Sequence, residues 1–79
     1  MDYRVFQIDA KDNVATALTE IPKGERAEII GEASAQDLVA LDTIPVGHKI
    51  ALRNLKNGEP IIKYGVVIGS ASVDIAQGT

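Results

Sequence analysis

Four times in 79 residues the sequence sets a branched apolar residue three positions before a glycine, usually with a polar residue next. The copies are Ile21-Pro22-Lys23-Gly24-Glu25, Ile44-Pro45-Val46-Gly47-His48, Leu55-Lys56-Asn57-Gly58-Glu59 and Ile75-Ala76-Gln77-Gly78-Thr79. A glycine in that place suits a turn needing positive φ, and the apolar residue anchors the turn on a core. Turns at this spacing leave room only for short elements between them. Asn57-Gly58 has the strongest hairpin chemistry of the four.

The intervening stretches have strand composition. Residues 3–8, 26–31, 38–44, 48–52, 60–63 and 66–68 are rich in Ile, Val and Leu and bounded by Gly, Pro or polar residues. Residues 9–13 are polar and turn-like. Asp12 is placed to cap a short helical turn, with Val14, Ala17 and Leu18 on one face at helical spacing. Residues 32–37 are small and polar and read as an exposed loop. The expected fold class is mostly β: a small domain of short strands with one short helical turn, spanning 1–79 as a single unit.

The composition narrows what such a domain can do. At this size only roughly 60% of the unfolded chain's surface is hidden, and three aromatics leave the core to aliphatic residues. An active site built from this chain alone is not expected. The net charge of -3 is spread without a Lys/Arg cluster, so nucleic acid is not an expected partner. Cysteine is absent, which removes disulfides, thiolate metal sites and cysteine catalysis. No apolar run approaches the ~20 residues of a membrane helix and none follows a basic start. A cytoplasmic protein without membrane contact is the expectation.

His48 is the single histidine, and its side chain alone titrates near neutrality when unperturbed. Following Gly47 at a turn, it suits a general acid/base or one ligand of a metal shared with another domain. A solvated or locally bonded turn histidine fits the same residues, and is the commoner case. Lys49, Arg53 and Lys63 could pair with a substrate carboxylate, although strand cations facing water are more usual. Tyr64 could donate from its phenol or cap the core edge. Gly65-Val66-Val67-Ile68-Gly69 lacks the glycines of a phosphate loop, and one histidine supports neither a catalytic triad nor a complete metal site.

The run from Ile44 to Gly69, which reads IPVGHKIALRNLKNGEPIIKYGVVIG, resembles the characteristic motif of the N-terminal SAF domain of the altronate/galactarate dehydratase family. Asp12-Asn13-Val14-Ala15-Thr16-Ala17-Leu18 is similar to that family's opening, so the likeness covers most of the chain. The resemblance implies a β-clip (SAF-like) fold and a much larger catalytic domain or subunit as partner. It implies a hydro-lyase reaction on a sugar-acid substrate: β-elimination of water giving a 2-keto-3-deoxy acid.

A divalent metal, iron in most of the family, is implied for the complete enzyme, with none held tightly by this chain alone. A Lewis acid helps because hydroxide leaves poorly and the α-proton of a carboxylate is weakly acidic. Carried over by position, His48 matches the motif histidine and Lys63-Tyr64-Gly65 the motif Lys-Tyr-Gly. The resemblance makes His48 a candidate catalytic residue or metal ligand, and Lys49 and Lys63 candidate substrate contacts.

One departure accompanies the resemblance. Family members typically continue past the motif into a strand with several histidines. This sequence ends at Gly78-Thr79, so that strand and any metal site using it are expected to be lacking, and the isolated chain inactive. Two alternatives remain: the small subunit of a sulfolactate sulfo-lyase, or a non-catalytic binding or dimerisation module. A homo-oligomer stays open.

Overall fold

The structure is a computed structural model that describes residues 3–31 and 36–79. Seven strands form: β1 (Arg4–Gln7), β2 (Val14–Ala17), β3 (Arg26–Gly31), β4 (Gln36–Val39), β5 (Lys49–Ala51), β6 (Pro60–Lys63) and β7 (Val66–Ser70). The first five make one sheet in the order β4-β3-β1-β2-β5, and β6 and β7 make a separate hairpin. Within the large sheet β1 and β3 run parallel, and the other neighbours are antiparallel. Strand alternation sets the faces: Val5 and Gln7 of β1 point inward while Arg4 and Phe6 point out. Ile21, Ile50, Leu55 and Val5 are the largest fully buried side chains.

The four glycine turns organise the fold in two reciprocal pairs. Residues 21–25 (turn I) oppose residues 44–48 (turn II), and residues 55–59 (turn III) oppose residues 75–79 (turn IV). The anchors bond each other in both directions: Ile21 with Ile44 at 2.8 Å each way, and Leu55 with Ile75 at 2.8 and 2.7 Å. In the first pair Gly24 N–H donates to the Ala40 carbonyl and Gly47 N–H to the Ala17 carbonyl. In the second pair Gly58 donates to Ala71 and Gly78 to Ala51.

A buried alanine therefore stands four positions before each anchor: Ala17, Ala40, Ala51 and Ala71. Its own N–H bonds the carbonyl that follows the partner's glycine. Six backbone bonds close each pair with no regular ladder, which is how a small domain satisfies its turn backbone without long strands. The four glycines hold φ between 83° and 92°, a region where a Cβ is strained.

The mostly β expectation holds, and three details differ. No helix forms among the described residues, and none is long and apolar enough to cross a membrane. The segment read as a helical turn is strand β2, because pairing with β1 and β5 buries three of its four side chains and overrides the weak helical spacing. Asn57-Gly58 makes a turn whose flanking strands do not pair with each other, since β5 pairs with β2 and β6 with β7. The hairpin is instead closed by Tyr64-Gly65, both at positive φ (58° and 73°), as a two-residue primed turn requires. Of the expected loop at 32–37, residues 32–35 lie outside the described residues, and Gln36 and Asp37 belong to β4.

Candidate functional site

His48 occupies the last place of turn II. Its N–H donates to the Pro45 carbonyl at 3.1 Å and its carbonyl accepts from Ala17 at 2.8 Å, so its backbone belongs to the fold. Its side chain is exposed and makes no hydrogen bond or ion pair with the described residues. The same place is held by Glu25, Glu59 and Thr79 in the other turns. Glu59 and Thr79 are half-buried and bonded within their own turns, whereas Glu25 and His48 are exposed, so the turn leaves the chemistry of this place free. An imidazole so placed can exchange a proton with whatever lies against this face.

Lys49 follows at the start of β5, paired with Thr16, and its side chain is also exposed. It borders a small apolar dent of about 150 Å³ walled by Val14, Leu55, Ile61 and Ile75. Lys63 ends β6 on the hairpin, half-buried, with its Nζ 5.0 Å from the centre of the Tyr64 ring. The Tyr64 phenol is exposed at the hairpin tip. The structure thus places His48 and Lys49 together and Lys63 on a separate element. No hydrogen bond or ion pair among the described residues joins Lys63 to His48 or Lys49. Arg53 is engaged with Glu59 at 2.9 Å.

A polar corner fixes the hairpin on the sheet, and in it Asp12, expected to cap a helical turn, plays another part. Gln7, Asp12 and Asn13 are buried. The Asp12 carboxylate accepts the N–H groups of Asp9 at 3.1 Å and Gly65 at 2.8 Å, rather than capping a helix. The Asn13 amide donates to the Pro60 carbonyl at 2.9 Å and accepts from Ile62 N–H at 2.8 Å. Gln7 donates to the Asp12 carbonyl at 3.0 Å. No buried side-chain nitrogen or oxygen lacks a partner among the described residues. The pair Asp12-Asn13 at a turn was the visible signal; partners some fifty positions away were not.

The residues present do not make a metal centre by themselves. Among the described residues no three of His, Cys, Asp and Glu gather closely enough to hold an ion. His48 is at most one ligand of a site completed elsewhere. A second, more polar groove of about 410 Å³ lies between β4 and turns III and IV, lined by Arg26, Asp37, Asn54 and Gln77 among others. Asn54 and Gln77 are already bonded there: Gln77 N–H donates to Asn54 Oδ1 and the Gln77 amide to the Leu52 carbonyl.

Comparison with known proteins shows what surrounds such a domain elsewhere. Residues 3–79 match the sequence family described as the altronate/galactarate dehydratase SAF domain. An altronate dehydratase of Bacillus subtilis (strain 168) is 44% identical over 73 residues, and one of Escherichia coli (strain K12) is 38% identical over 73. Each match covers 92% of this chain and 14% of the relative. The alpha subunit of a (2R)-sulfolactate sulfo-lyase from Chromohalobacter salexigens is 51% identical over 37 residues, 47% of this chain and 39% of that protein.

Proposed function

Since this chain belongs to the altronate/galactarate dehydratase SAF-domain family, we propose that it is the accessory domain of a sugar-acid dehydratase. It works against a larger catalytic partner, fused or separate. The observation that carries this reading is the proportion of the matches: nearly the whole chain aligns, to about one seventh of each altronate dehydratase. The reaction is β-elimination, in which the α-proton leaves C2, hydroxide leaves C3 as water, and the enol becomes a 2-keto-3-deoxy acid.

In this reading turn II presents His48 to the active site, where its exposed imidazole carries a proton or serves as one metal ligand. Lys49, next to it and also exposed, faces the substrate carboxylate, with Lys63 on the hairpin as a second cation for the same charge. The divalent metal, iron in this proposal, has its remaining ligands on the partner. The domain acts in the cytoplasm.

A second reading has a specific observation behind it, the 51% identity to a sulfolactate sulfo-lyase alpha subunit. There the leaving group is sulfite rather than water, and the discriminating pocket lies on the partner.

Reconstitution tests both. The chain is mixed with its catalytic partner and ferrous iron, and altronate, galactarate and sulfolactate are offered in turn. Keto-acid formation that requires the chain and falls at least about a hundredfold in His48→Ala is the expected result, the scale of a lost acid/base group. Full activity without the chain would overturn the accessory role, and an unchanged His48→Ala would remove the histidine from the reaction.

A further inference from the structure

Strand β7 is the most unusual surface of this domain. All five of its residues are exposed, with Val66, Val67 and Ile68 at 57, 65 and 48%. Ten consecutive residues from Tyr64 to Val73 carry no charge, in a chain that is 24% charged. On one side β7 pairs with β6; its other edge has no strand partner among the described residues. Free strand edges are commonly blunted by Lys, Pro or inward-pointing charges, because bare N–H and C=O groups recruit another strand. Here the one such device is a bulge, since pairing of Ile61 with Gly69 and Ile62 with Val67 leaves Ile68 as the extra residue.

We infer that β7 is the docking edge for the catalytic partner, which adds an extended apolar segment beside it as a third strand and covers Val66, Val67 and Ile68. The inference rests on the accessory role proposed above and names the surface that serves it.

Size argues against a second copy of this chain as the occupant. Together with Tyr64, the three side chains present on the order of 400–500 Å², near the top of what a monomer leaves bare. Two such patches face to face bury about 900 Å², short of the ~1,200 Å² at which stable specific interfaces begin. A larger partner can add contacts beyond the strand.

Two further features point to the same occupant. The hairpin is held rigidly to the sheet by Asp12 and Asn13, so little order has to be gained on docking. Its tip also carries Lys63 and Tyr64, so a partner strand along β7 brings those side chains against the partner. Strand addition of this kind takes affinity from main-chain bonds and selectivity from side-chain pockets.

The test uses the whole chain and its catalytic partner. Binding is measured by calorimetry for the unaltered chain, for Val67→Lys, and for Leu18→Lys at the far end of β2 from Asn13, another exposed apolar site (47%). Val67→Lys is expected to weaken binding at least tenfold with an unchanged melting temperature, and Leu18→Lys to leave binding intact. Hydrogen exchange on the unaltered chain gives a readout without any variant: amides 66–70 gain protection on binding. Binding and activity unaffected by Val67→Lys, with no new protection, overturn the inference and leave the accessory role standing. A chain that neither binds the partner nor contributes to activity removes both. Self-association by sedimentation that Val67→Lys abolishes makes the occupant a second copy and overturns the assignment to the partner.

Discussion

The Asp12 carboxylate accepts the N–H of Gly65 at 2.8 Å across 53 positions of sequence, and so ties the tip of the hairpin to the turn between β1 and β2. Its second oxygen holds Asp9 N–H at 3.1 Å, which shapes the turn it stands on. Asp12→Ala leaves two amides without these acceptors in a buried corner, at a cost of about 1–3 kcal/mol. For a domain this small that is roughly 4–8 °C of melting temperature per kcal/mol. Asp12→Asn keeps one acceptor and should lose less. Thermal unfolding of both, with hydrogen exchange at Gly65, checks the order. Equal stability of Asp12→Ala and the unaltered chain would mean that the corner does not hold the hairpin.

Two turn glycines separate backbone strain from collision. Gly47 (φ 83°) has open space where a Cβ would stand, so Gly47→Ala meets only the left-handed penalty of about 1–2 kcal/mol. Gly78 has nearly the same φ, but a Cβ there would lie 2.2 Å from the Val39 carbonyl oxygen. Gly78→Ala must therefore displace β4 as well and should cost clearly more, or prevent folding. Urea unfolding of the two variants gives the comparison, and equal losses would show that the φ penalty alone governs both.

The same turns mark how far the sequence could be read. The anchor and glycine of each turn were visible because a positive-φ site leaves a residue-specific mark. The buried alanine four positions earlier was not, because Ala17 or Ala51 in an aliphatic stretch carries no signal until the opposing turn is known. Strands β3 and β6 were legible to the residue, since Gly or Pro bounds them. Strand β2 was misread, because Val14, Ala17 and Leu18 are spaced for a helical face, and only pairing with its two neighbours decides otherwise. Of the candidate site, exposure of His48 and Lys49 was foreseeable from the turn beside them. The separate placement of Lys63 follows from the Tyr64-Gly65 hairpin, an X-Gly signal between two β-branched runs.

Acid should weaken turn III. The Lys56 N–H, and then the Arg53 guanidinium, hold the Glu59 carboxyl below its ordinary value of 4.5. A carboxyl depressed in the folded state adds stability above its unfolded pKa and loses it as pH falls through the folded one. Its share is therefore intact at neutrality and fades as pH drops below about 4.5. Glu59→Gln should show a shallower fall in melting temperature between pH 5 and 3, in the sense that the difference from the unaltered chain shrinks with acidification. A difference that stays constant with pH would show that the carboxylate's charge plays no part. High salt should trim the effect, because the group is at the surface.

The residue just before each turn anchor repeats a further contact between the paired turns. Thr43 Oγ1 accepts Lys23 N–H at 3.3 Å, Asp74 Oδ1 accepts Asn57 N–H at 2.8 Å, and Asn54 Oδ1 accepts Gln77 N–H at 2.8 Å. In each case a short polar side chain satisfies the amide two places past the opposing anchor. The fourth member of the set is Glu20, opposite Val46, and it makes no such bond with the described residues. Glutamate is one methylene longer than aspartate and overshoots the span that Asp74 and Asn54 cover. Glu20→Asn should supply the missing acceptor and stabilise the domain by about 0.5 kcal/mol, the low end for a net hydrogen bond at a wet site. Asp74→Ala, which removes an existing one, should destabilise by about 0.5–1 kcal/mol. Denaturant unfolding of the two variants and of the pair together tests this: the sites lie in different turn pairs, so their effects should add. A Glu20→Asn that is neutral or destabilising would mean that turn II does not present Val46 N–H as its three counterparts present theirs.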